Sequence, residues 1–215
     1  MNVSKSKESI LKKIRQALAQ PVPVPFSASE GNDSVFQPSD KELEIEFAEN
    51  FSKLLGKFSF CADEMELATQ LNMLSTARNW DKIFCREAHL KYMLNINGYT
   101  NFEYADLNTC DASITSCELL VARTGSIVLS TGQQSGRSTS VYAPMHICIA
   151  YTNQLVYDIK DGLLHLRDKY NESLPSLITF ATGPSRTADI EKTLVVGVHG
   201  PKEVFVFLVE GSSAL

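Results

Sequence analysis

Residues 146–181 decide the fold of this chain, and their sequence is HICIAYTNQLVYDIKDGLLHLRDKYNESLPSLITFA. An apolar run of strand length over 146–151 is followed by a helical pattern over 158–170 and by a second strand pattern over 176–181. Two parallel strands need a crossover connection, which is usually a helix. The succession of strand, helix and strand therefore predicts an α/β fold with a parallel sheet.

The same alternation continues on both sides of this segment. The sequence predicts six helices. One covers 5–19, one follows the capping-box pattern Ser39-Asp-Lys-Glu42, one starts at Asp63, and the others lie near 87–96, over 158–170 and over 186–195. It predicts strands over 57–61, 82–85, 100–105, 125–130, 146–151, 176–181 and 203–209. Such alternation implies a three-layer α/β/α sandwich with a mainly parallel sheet. Ligands of such sheets bind beyond the carboxyl ends of the strands.

Residues 1–38 are predicted to form an N-terminal helical extension, and residues 39–215 one domain. The extension joins the helix at 5–19 to the proline-rich stretch Pro21-Val-Pro-Val-Pro25, which ends it because proline cannot continue a helix. Residues 1–20 carry five basic side chains and one acidic one, a net charge of +4, which leaves −9 for the rest. The basic helix either docks on a partner subunit or packs back on its own domain.

The composition is that of a soluble globular protein, with 44% apolar and 21% charged residues among 215. The net charge of −5 disfavours a primary role on nucleic acid or on an anionic membrane. The N-terminus has no signal-peptide pattern, and no apolar run approaches the roughly 18 residues of a spanning helix. We therefore expect a cytoplasmic protein.

The cysteines and histidines form no metal-binding pattern. The five cysteines have no CxxC or other close ligand spacing, so we expect free thiols in a reducing compartment and no iron–sulfur cluster on this chain. There is no HExxH motif and no cluster of His, Asp and Glu, so we predict no metal site.

Residues 182–191, TGPSRTADIE, follow a strand pattern and open the helix predicted over 186–195. Exposed backbone N–H groups, hydroxyls and Arg186 would together make an anion site at such a helix start. Alternatively, Asp189 and Glu191 only interact with the positive end of the helix dipole.

The loop TGQQSGRS, residues 131–138, lies between two strand patterns. A P-loop needs four residues between its glycines and then Lys followed by Ser or Thr, whereas here three residues separate the glycines and arginine follows. We therefore exclude a P-loop. The loop is either a mobile hairpin or a lid whose Ser130, Thr131 and Arg137 cover an anionic ligand.

Two of the four histidines lie where chemistry is expected. His146 begins a strand directly after a loop, and His199 lies in a glycine-rich turn before the last strand. Each is predicted either to act as an acid or base or to hydrogen-bond its own loop. His89 and His165 lie in helical patterns and are predicted to be a surface and a structural residue.

Four blocks resemble the LUD-domain family of lactate-utilisation proteins: RTGSIVL (123–129), PMH (144–146), GPSRTADIE (183–191) and VGVHGPKE (196–203). The resemblance covers residues 40–210 and is nearest to the small protein C type. It implies a fold similar to the sugar-phosphate isomerase and CoA-transferase group (NagB/RpiA/CoA-transferase-like). It also implies a role in oxidising L-lactate to pyruvate with cysteine-rich iron–sulfur proteins of the lactate utilisation operon.

These blocks and the loop over 131–138 supply the candidate site residues. The acid or base candidates are His146 and His199. The substrate- or anion-binding candidates are Arg123, Thr124, Gly125, Ser130, Thr131, Arg137, Gly183, Pro184, Ser185, Arg186, Thr187, Asp189 and Gly200. In one respect the chain departs from the family: the residue before Thr-Gly is commonly acidic, and here it is Arg123.

Two functions fit this sequence. The chain is either a subunit of an L-lactate-oxidising complex that binds a small anionic substrate or an unidentified cofactor, or a non-catalytic assembly or regulatory module. The lack of a classical catalytic constellation and the departure at Arg123 favour the second, and the family blocks favour the first. The sequence alone does not decide whether the chain is an enzyme.

Overall fold

The computed structural model describes residues 5–19, 41–171, 173–188, 194–197 and 199–211. The chain divides between residues 38 and 39 into two units, each described by itself. The first contains helix α1, Lys5–Ala19, which the sequence predicted. Its apolar side chains Ile10 and Ile14 are exposed. Within the described part of the chain, no helix is long and apolar enough to cross a membrane.

The described residues of the second unit form an α/β domain. Its helices are α2 (Leu43–Lys53), α3 (Glu64–Arg78), α4 (Ala88–Ile96), α5 (Thr139–Tyr142), a 3-10 turn (Thr152–Gln154) and α6 (Ile159–Lys169). Its strands are β1 (Lys57–Cys61), β2 (Ile83–Cys85), β3 (Ala112–Thr115), β4 (Leu119–Val121), β5 (Ser126–Ser130), β6 (Met145–Tyr151), β7 (Leu155–Val156), β8 (Ile178–Ala181), β9 (Arg186–Ala188), β10 (Leu194–Val196) and β11 (Glu203–Val209).

A five-stranded sheet in the order β1, β11, β6, β3, β2 forms the centre of the domain, and every pair in it is parallel. The strands β6 and β11 are apolar runs buried over most of their length, as a sheet covered on both faces requires. Helices α3 and α4 pack on the face that carries Ile147 and Ile149. Helix α2 packs on the opposite face through Phe47 and Phe51. The predicted α/β fold with a mainly parallel sheet between helices is confirmed.

A second, four-stranded sheet in the order β7, β4, β5, β8 shares the face of α2. Leu120 and Ile127 point from it toward the central sheet, while Leu119 and Val121 pack against Leu166 of α6 on its outer side. The sequence predicted β5 and β8 as strands. It missed β4 and β7 because strands of three and two residues are too short to show a period. The expected parallel pairing within 146–181 is wrong, because β6 belongs to the central sheet while β8 pairs antiparallel with β5.

Two predicted elements are wrong. In place of a helix over 186–195, the described residues form the antiparallel strands β9 and β10, paired from Arg186 opposite Val196 to Ala188 opposite Leu194. β-Branched residues at 187, 195 and 196 favour this extended geometry over a helix. In place of a strand over 100–105, the chain makes one isolated bridge, between Phe84 and Glu103.

Helix α2 begins at Leu43 behind Glu42, whose side chain makes no capping hydrogen bond. The predicted capping partner Ser39 lies outside the described residues.

Candidate functional site

The predicted site residues occupy three places in the domain. We define the amino edge of the central sheet as the edge where its parallel strands begin, and the carboxyl edge as the edge where they end. One group surrounds the last turn of α2, a second lies at the amino edge before β6 and β11, and a third lies in the loop over 131–138 at the carboxyl edge. The sequence had placed all of them at strand ends, without separating the two edges.

Gly125 and Gly183 allow the backbone to approach α2 closely. Both have positive φ angles, +59° and +81°. A Cβ atom on Gly125 would lie 2.5 Å from the Phe51 nitrogen, and one on Gly183 would lie 2.5 Å from the Leu54 oxygen. Only glycine meets both requirements without strain. Packing thus accounts for these two family residues.

Arg123, in the turn between β4 and β5, forms an ion pair with the start of α6. Its Nη2 atom lies 2.7 Å from Oδ1 of Asp158, the N-cap residue of that helix. The hydrogen bond from the guanidinium lowers the pKa of Asp158. Beside it, Thr124 Oγ1 lies 2.7 Å from Ser126 Oγ. The arginine that stands in place of the family's common acid therefore has a structural partner.

His146 is buried inside the central sheet, with 1% of its surface exposed. Its Nε2 atom lies 2.9 Å from Thr115 Oγ1. Burial lowers the pKa of His146 to about 4, so the imidazole is neutral at neutral pH. This position gives a substrate no access, which counts against the predicted acid or base role.

A cavity of about 460 Å³ opens at the amino edge. Its described lining residues are Val141, Tyr142, Pro144, Gly197, His199, Gly200 and Lys202. The side chains of His199 and Lys202 are exposed. The lining combines an ammonium, an imidazole and a phenol with apolar surface and contains no carboxylate, which suits a small anion with a carbon skeleton.

Backbone hydrogen bonds join the two C-terminal family blocks next to this cavity. The Ser185 nitrogen donates to the Pro201 oxygen over 3.0 Å, and the Gly197 nitrogen donates to the Ser185 oxygen over 2.9 Å. Gly200 faces Ser185 so closely that an added Cβ would lie 2.9 Å from the serine Cβ. The blocks therefore form one continuous wall.

The other predicted residues of the block over 183–191 that the structure describes do not line the cavity. Pro184 is buried and Arg186 is exposed. Thr187 pairs through its backbone with Val195, and Asp189 lies outside the described residues. No helix starts at residue 186, so the predicted helix-start anion site does not form.

The loop over 131–138 is fastened to the carboxyl edge. Arg137 Nη2 donates to Ser176 Oγ over 2.8 Å, and Thr131 Oγ1 lies 3.3 Å from the same oxygen. Gln133 Oε1 accepts from the Ser130 nitrogen over 2.9 Å. Its other amide atom, Nε2, donates to Ser116 Oγ, also over 2.9 Å. These bonds hold the loop down on the domain.

Two buried glutamates that the sequence analysis missed form the base of this region, each with 1% of its side chain exposed. Glu87 accepts from the Ser116 nitrogen over 2.9 Å and also from the Ser116 hydroxyl. Glu118 accepts from Tyr170 over 2.7 Å, from Lys169 over 3.0 Å and from the Ser130 hydroxyl. Both carboxylates are thus satisfied by the protein itself.

The pKa of Glu118 reflects these partners. Burial raises the pKa, and the hydrogen bonds from Ser130, Tyr170 and Lys169 more than offset that effect, so the net pKa is lowered. The carboxylate is therefore ionised at neutral pH. The sequence held a signal for Glu87 alone, because this residue follows the predicted strand over 82–85, whereas strand β3 before Glu118 was not predicted.

Metal ligands are not grouped in the part of the chain that the structure describes, where no set of three or more His, Cys, Asp or Glu side chains could hold an ion. All five cysteines are buried, and none forms a disulfide.

The family model and the curated relatives that match this chain point to the same family. The model of the LUD domain matches residues 46–209. Lactate utilization protein C of Halalkalibacterium halodurans is 41% identical over 102 residues, which are 46% of this chain and 44% of that protein. Lactate utilization protein C of Deinococcus radiodurans is 34% identical over 107 residues, 49% of this chain and 50% of that protein. The matches span about half the length of these curated relatives.

A solved structure of similar fold is the crystal structure of a DUF162 family protein from Deinococcus radiodurans. Its TM-score is 0.57 at 20% sequence identity, with 78% of this chain and 96% of that chain covered. At this identity the likeness concerns the fold alone.

Proposed function

This chain belongs to the LUD domain family, and on that basis we propose that it is a subunit of an L-lactate utilisation system that binds a small anionic ligand in the amino-edge cavity. The relatives that carry the name lactate utilization protein C support the metabolic role. The observation that carries the site is the cavity itself, where one family block presents both His199 and Lys202 without a carboxylate in the described lining.

The lining suits the carboxylate of L-lactate or pyruvate. The Lys202 ammonium would hold the carboxylate as a charge-assisted hydrogen-bond donor. The His199 imidazole would hydrogen-bond the hydroxyl or carbonyl oxygen and exchange a proton with it. The apolar surface of Val141 and Pro144 would face the methyl group.

Oxidation of L-lactate to pyruvate releases two electrons and two protons, and the electrons need an acceptor. We assign that role to cysteine-rich iron–sulfur partner proteins, because the cysteine spacing predicts no cluster on this chain. In this scheme the chain binds and orients the substrate, His199 takes up the hydroxyl proton, the proton from the carbon passes to solvent, and the two electrons pass to the partner's clusters. A cofactor of this chain would occupy the same anion-binding cavity.

The test is anaerobic reconstitution of lactate oxidation from this chain and the proteins encoded beside it. Omitting the chain should abolish the activity. Lys202→Ala should lower the apparent affinity for lactate roughly tenfold or more, His199→Ala should lower the rate, and Lys160→Ala, a change at an exposed lysine outside the cavity, should leave both unchanged. Full activity in the two cavity variants would refute the site.

A second candidate function is a non-catalytic assembly or regulatory module. The basic amphipathic helix α1 favours it, because its apolar side chains Ile10 and Ile14 are exposed and form a surface of the kind that binds another protein. Deleting residues 1–25 separates the two functions. Loss of complex formation with unchanged ligand binding supports the assembly role, whereas intact complexes support the ligand-binding role.

A further inference from the structure

A second concave surface of the second unit lies away from the amino-edge cavity and has no part in the function proposed above. Its volume is about 700 Å³. Residues of α2 form one wall, the strand β1 forms the floor, and the ends of β6 and β11 close the groove. Its described lining consists of Glu42, Glu44, Ile45, Ala48, Glu49, Phe58, Phe60, Thr152 and Glu210.

The floor of this groove is apolar and exposed. Ile45 and Phe60 are 50% and 45% exposed, and Phe58 packs only partly against the core. The strand β1 is the edge strand of the central sheet, so among the described residues β11 is its only strand neighbour. Exposed apolar side chains gathered in one concave surface mark a binding site more often than single exposed residues do.

The rim of the groove is acidic. Four glutamates line it and no lysine or arginine does, although Lys41 reaches Glu49 over 2.7 Å from outside. This charge repels phosphate groups, which argues against an anionic lipid surface or a nucleic acid as the occupant. A hydrated metal ion would leave the apolar floor uncovered. The occupant must therefore be both apolar and cationic.

From this pairing of an apolar floor with an acidic rim, we propose that the groove docks a basic amphipathic helix of a partner protein. An apolar stripe with the spacing i, i+3, i+4 and i+7 would cover Ile45 and Phe60. Lysine and arginine side chains on the flanks of that stripe would face the glutamates and extend their aliphatic stems over the groove walls. The complementary charges would also speed association at low salt.

The binding test uses the full chain and a fluorescein-labelled, 18-residue helical peptide of Leu, Lys and Ala, with Leu on one stripe and Lys on both flanks. Fluorescence anisotropy measures the dissociation constant. Phe60→Ser and Ile45→Ser should each weaken binding about tenfold. Glu210→Gln should weaken it less and flatten its salt dependence. Met65→Ser, at an exposed residue outside the groove, serves as the matched control and should change nothing.

Two further measurements decide the proposal. A peptide of the same composition with its leucines scattered around the helix should not bind. If it binds equally well, or if the groove variants bind the original peptide as tightly as the wild type, the groove is not the docking site.

The helix Lys5–Ala19 has the same chemistry as the peptide, so the chain itself supplies a competitor. Replacing Lys7, Lys12, Lys13 and Arg15 by Gln should leave the peptide affinity unchanged if a partner fills the groove. An affinity about tenfold higher in that variant would mean that α1 occupies the groove, and the assignment to a partner would be overturned. Binding of lactate in the amino-edge cavity is independent of every outcome here.

Discussion

The two edges of the central sheet differ in how their polar groups are satisfied. At the amino edge, His199 and Lys202 are exposed in an open cavity between two family blocks. At the carboxyl edge, Glu87 and Glu118 are buried and accept hydrogen bonds from serine, tyrosine and lysine side chains. A ligand can add hydrogen bonds to exposed polar side chains. In the closed network it would first have to break the hydrogen bonds that the protein already makes.

This difference explains why the usual position of a ligand in a parallel sheet is filled here. Ligands of such sheets use backbone N–H groups beyond the carboxyl ends of the strands. In this domain the Ala88 nitrogen, at the start of α4, donates to Gln134 over 2.9 Å, and the Ser116 nitrogen donates to Glu87. The protein's own side chains thus occupy the donors that an anion would use. The opposite edge is left for the ligand.

The largest expected effect concerns Gly125 beside the last turn of α2, whose close approach to that helix we explain by packing. Gly125→Val should lower the free energy of unfolding by about 4 kcal/mol, because it adds a clash with the Phe51 backbone to an unfavourable positive φ. Gly98→Val, at a positive φ with open space around it, should cost only about 2 kcal/mol. Urea unfolding measures both, and equal losses would remove the packing explanation.

The burial of His146 predicts a pH dependence. Its folded-state pKa of about 4 lies below the usual histidine value of 6.5, so the unfolded chain binds the proton more strongly. Stability is therefore full above pH 6.5 and falls as the pH drops toward 4, by about 3 kcal/mol. His146→Gln should flatten unfolding curves over this range, whereas His165→Gln, at an exposed helix position, should not. If the free energy of unfolding of His146→Gln depends on pH as steeply as that of the wild type, the histidine is in contact with water in the folded protein.

Removing a carboxylate from the closed network should cost stability without affecting ligand binding. Glu87→Ala leaves the buried Ser116 N–H without its acceptor and should lower the free energy of unfolding by about 2 kcal/mol. Glu103→Ala, at an exposed glutamate, should change it by less than about 0.5 kcal/mol. Lactate affinity should be unchanged in both. A variant at Glu87 that folds normally but no longer binds lactate would move the site to the carboxyl edge.

The smallest expected effect concerns Arg123. Its ion pair with Asp158 is partly exposed, so Arg123→Ala should lower the free energy of unfolding by about 1 kcal/mol. Because the pair lowers the pKa of Asp158, that loss should begin to shrink as the pH falls below 3.8 and should vanish only below the lower folded-state pKa, where the carboxylate is protonated in both states. Thermal unfolding at pH 7 and pH 3 measures the difference. A loss of lactate oxidation without a loss of stability would give Arg123 a direct role.

Long, regular elements were predictable from the sequence because their own residues determine them. The apolar run of β11 and the periodic α3 and α6 appear close to their predicted bounds. The described residues of the helix predicted over 186–195 form strands instead. Proline and capping residues in 182–187 indicated a helix start, while the partner strand that stabilises β9 lies farther along the chain. Tertiary pairing of this kind gives no local signal.

The site was predictable only in part, for a related reason. The family blocks identified the segments around His199 and Gly183, but sequence spacing does not distinguish a glycine that contacts a ligand from one that contacts a helix. Glu87 and Glu118 belong to no motif, and their partners come from residues 116, 130, 169 and 170. A hydrogen-bond network across distant segments becomes visible only when the fold brings them together.

The most direct test of the central claim is a proton NMR titration of the full chain with L-lactate, following the imidazole signals of its four histidines. His199→Gln identifies the His199 signal by its loss. The account predicts that this signal shifts saturably with L-lactate or pyruvate, that Lys202→Ala weakens the response roughly tenfold, and that the signals of His89 and His165 stay in place. A His199 signal that does not respond, or that responds equally in Lys202→Ala, would contradict ligand binding at the amino edge.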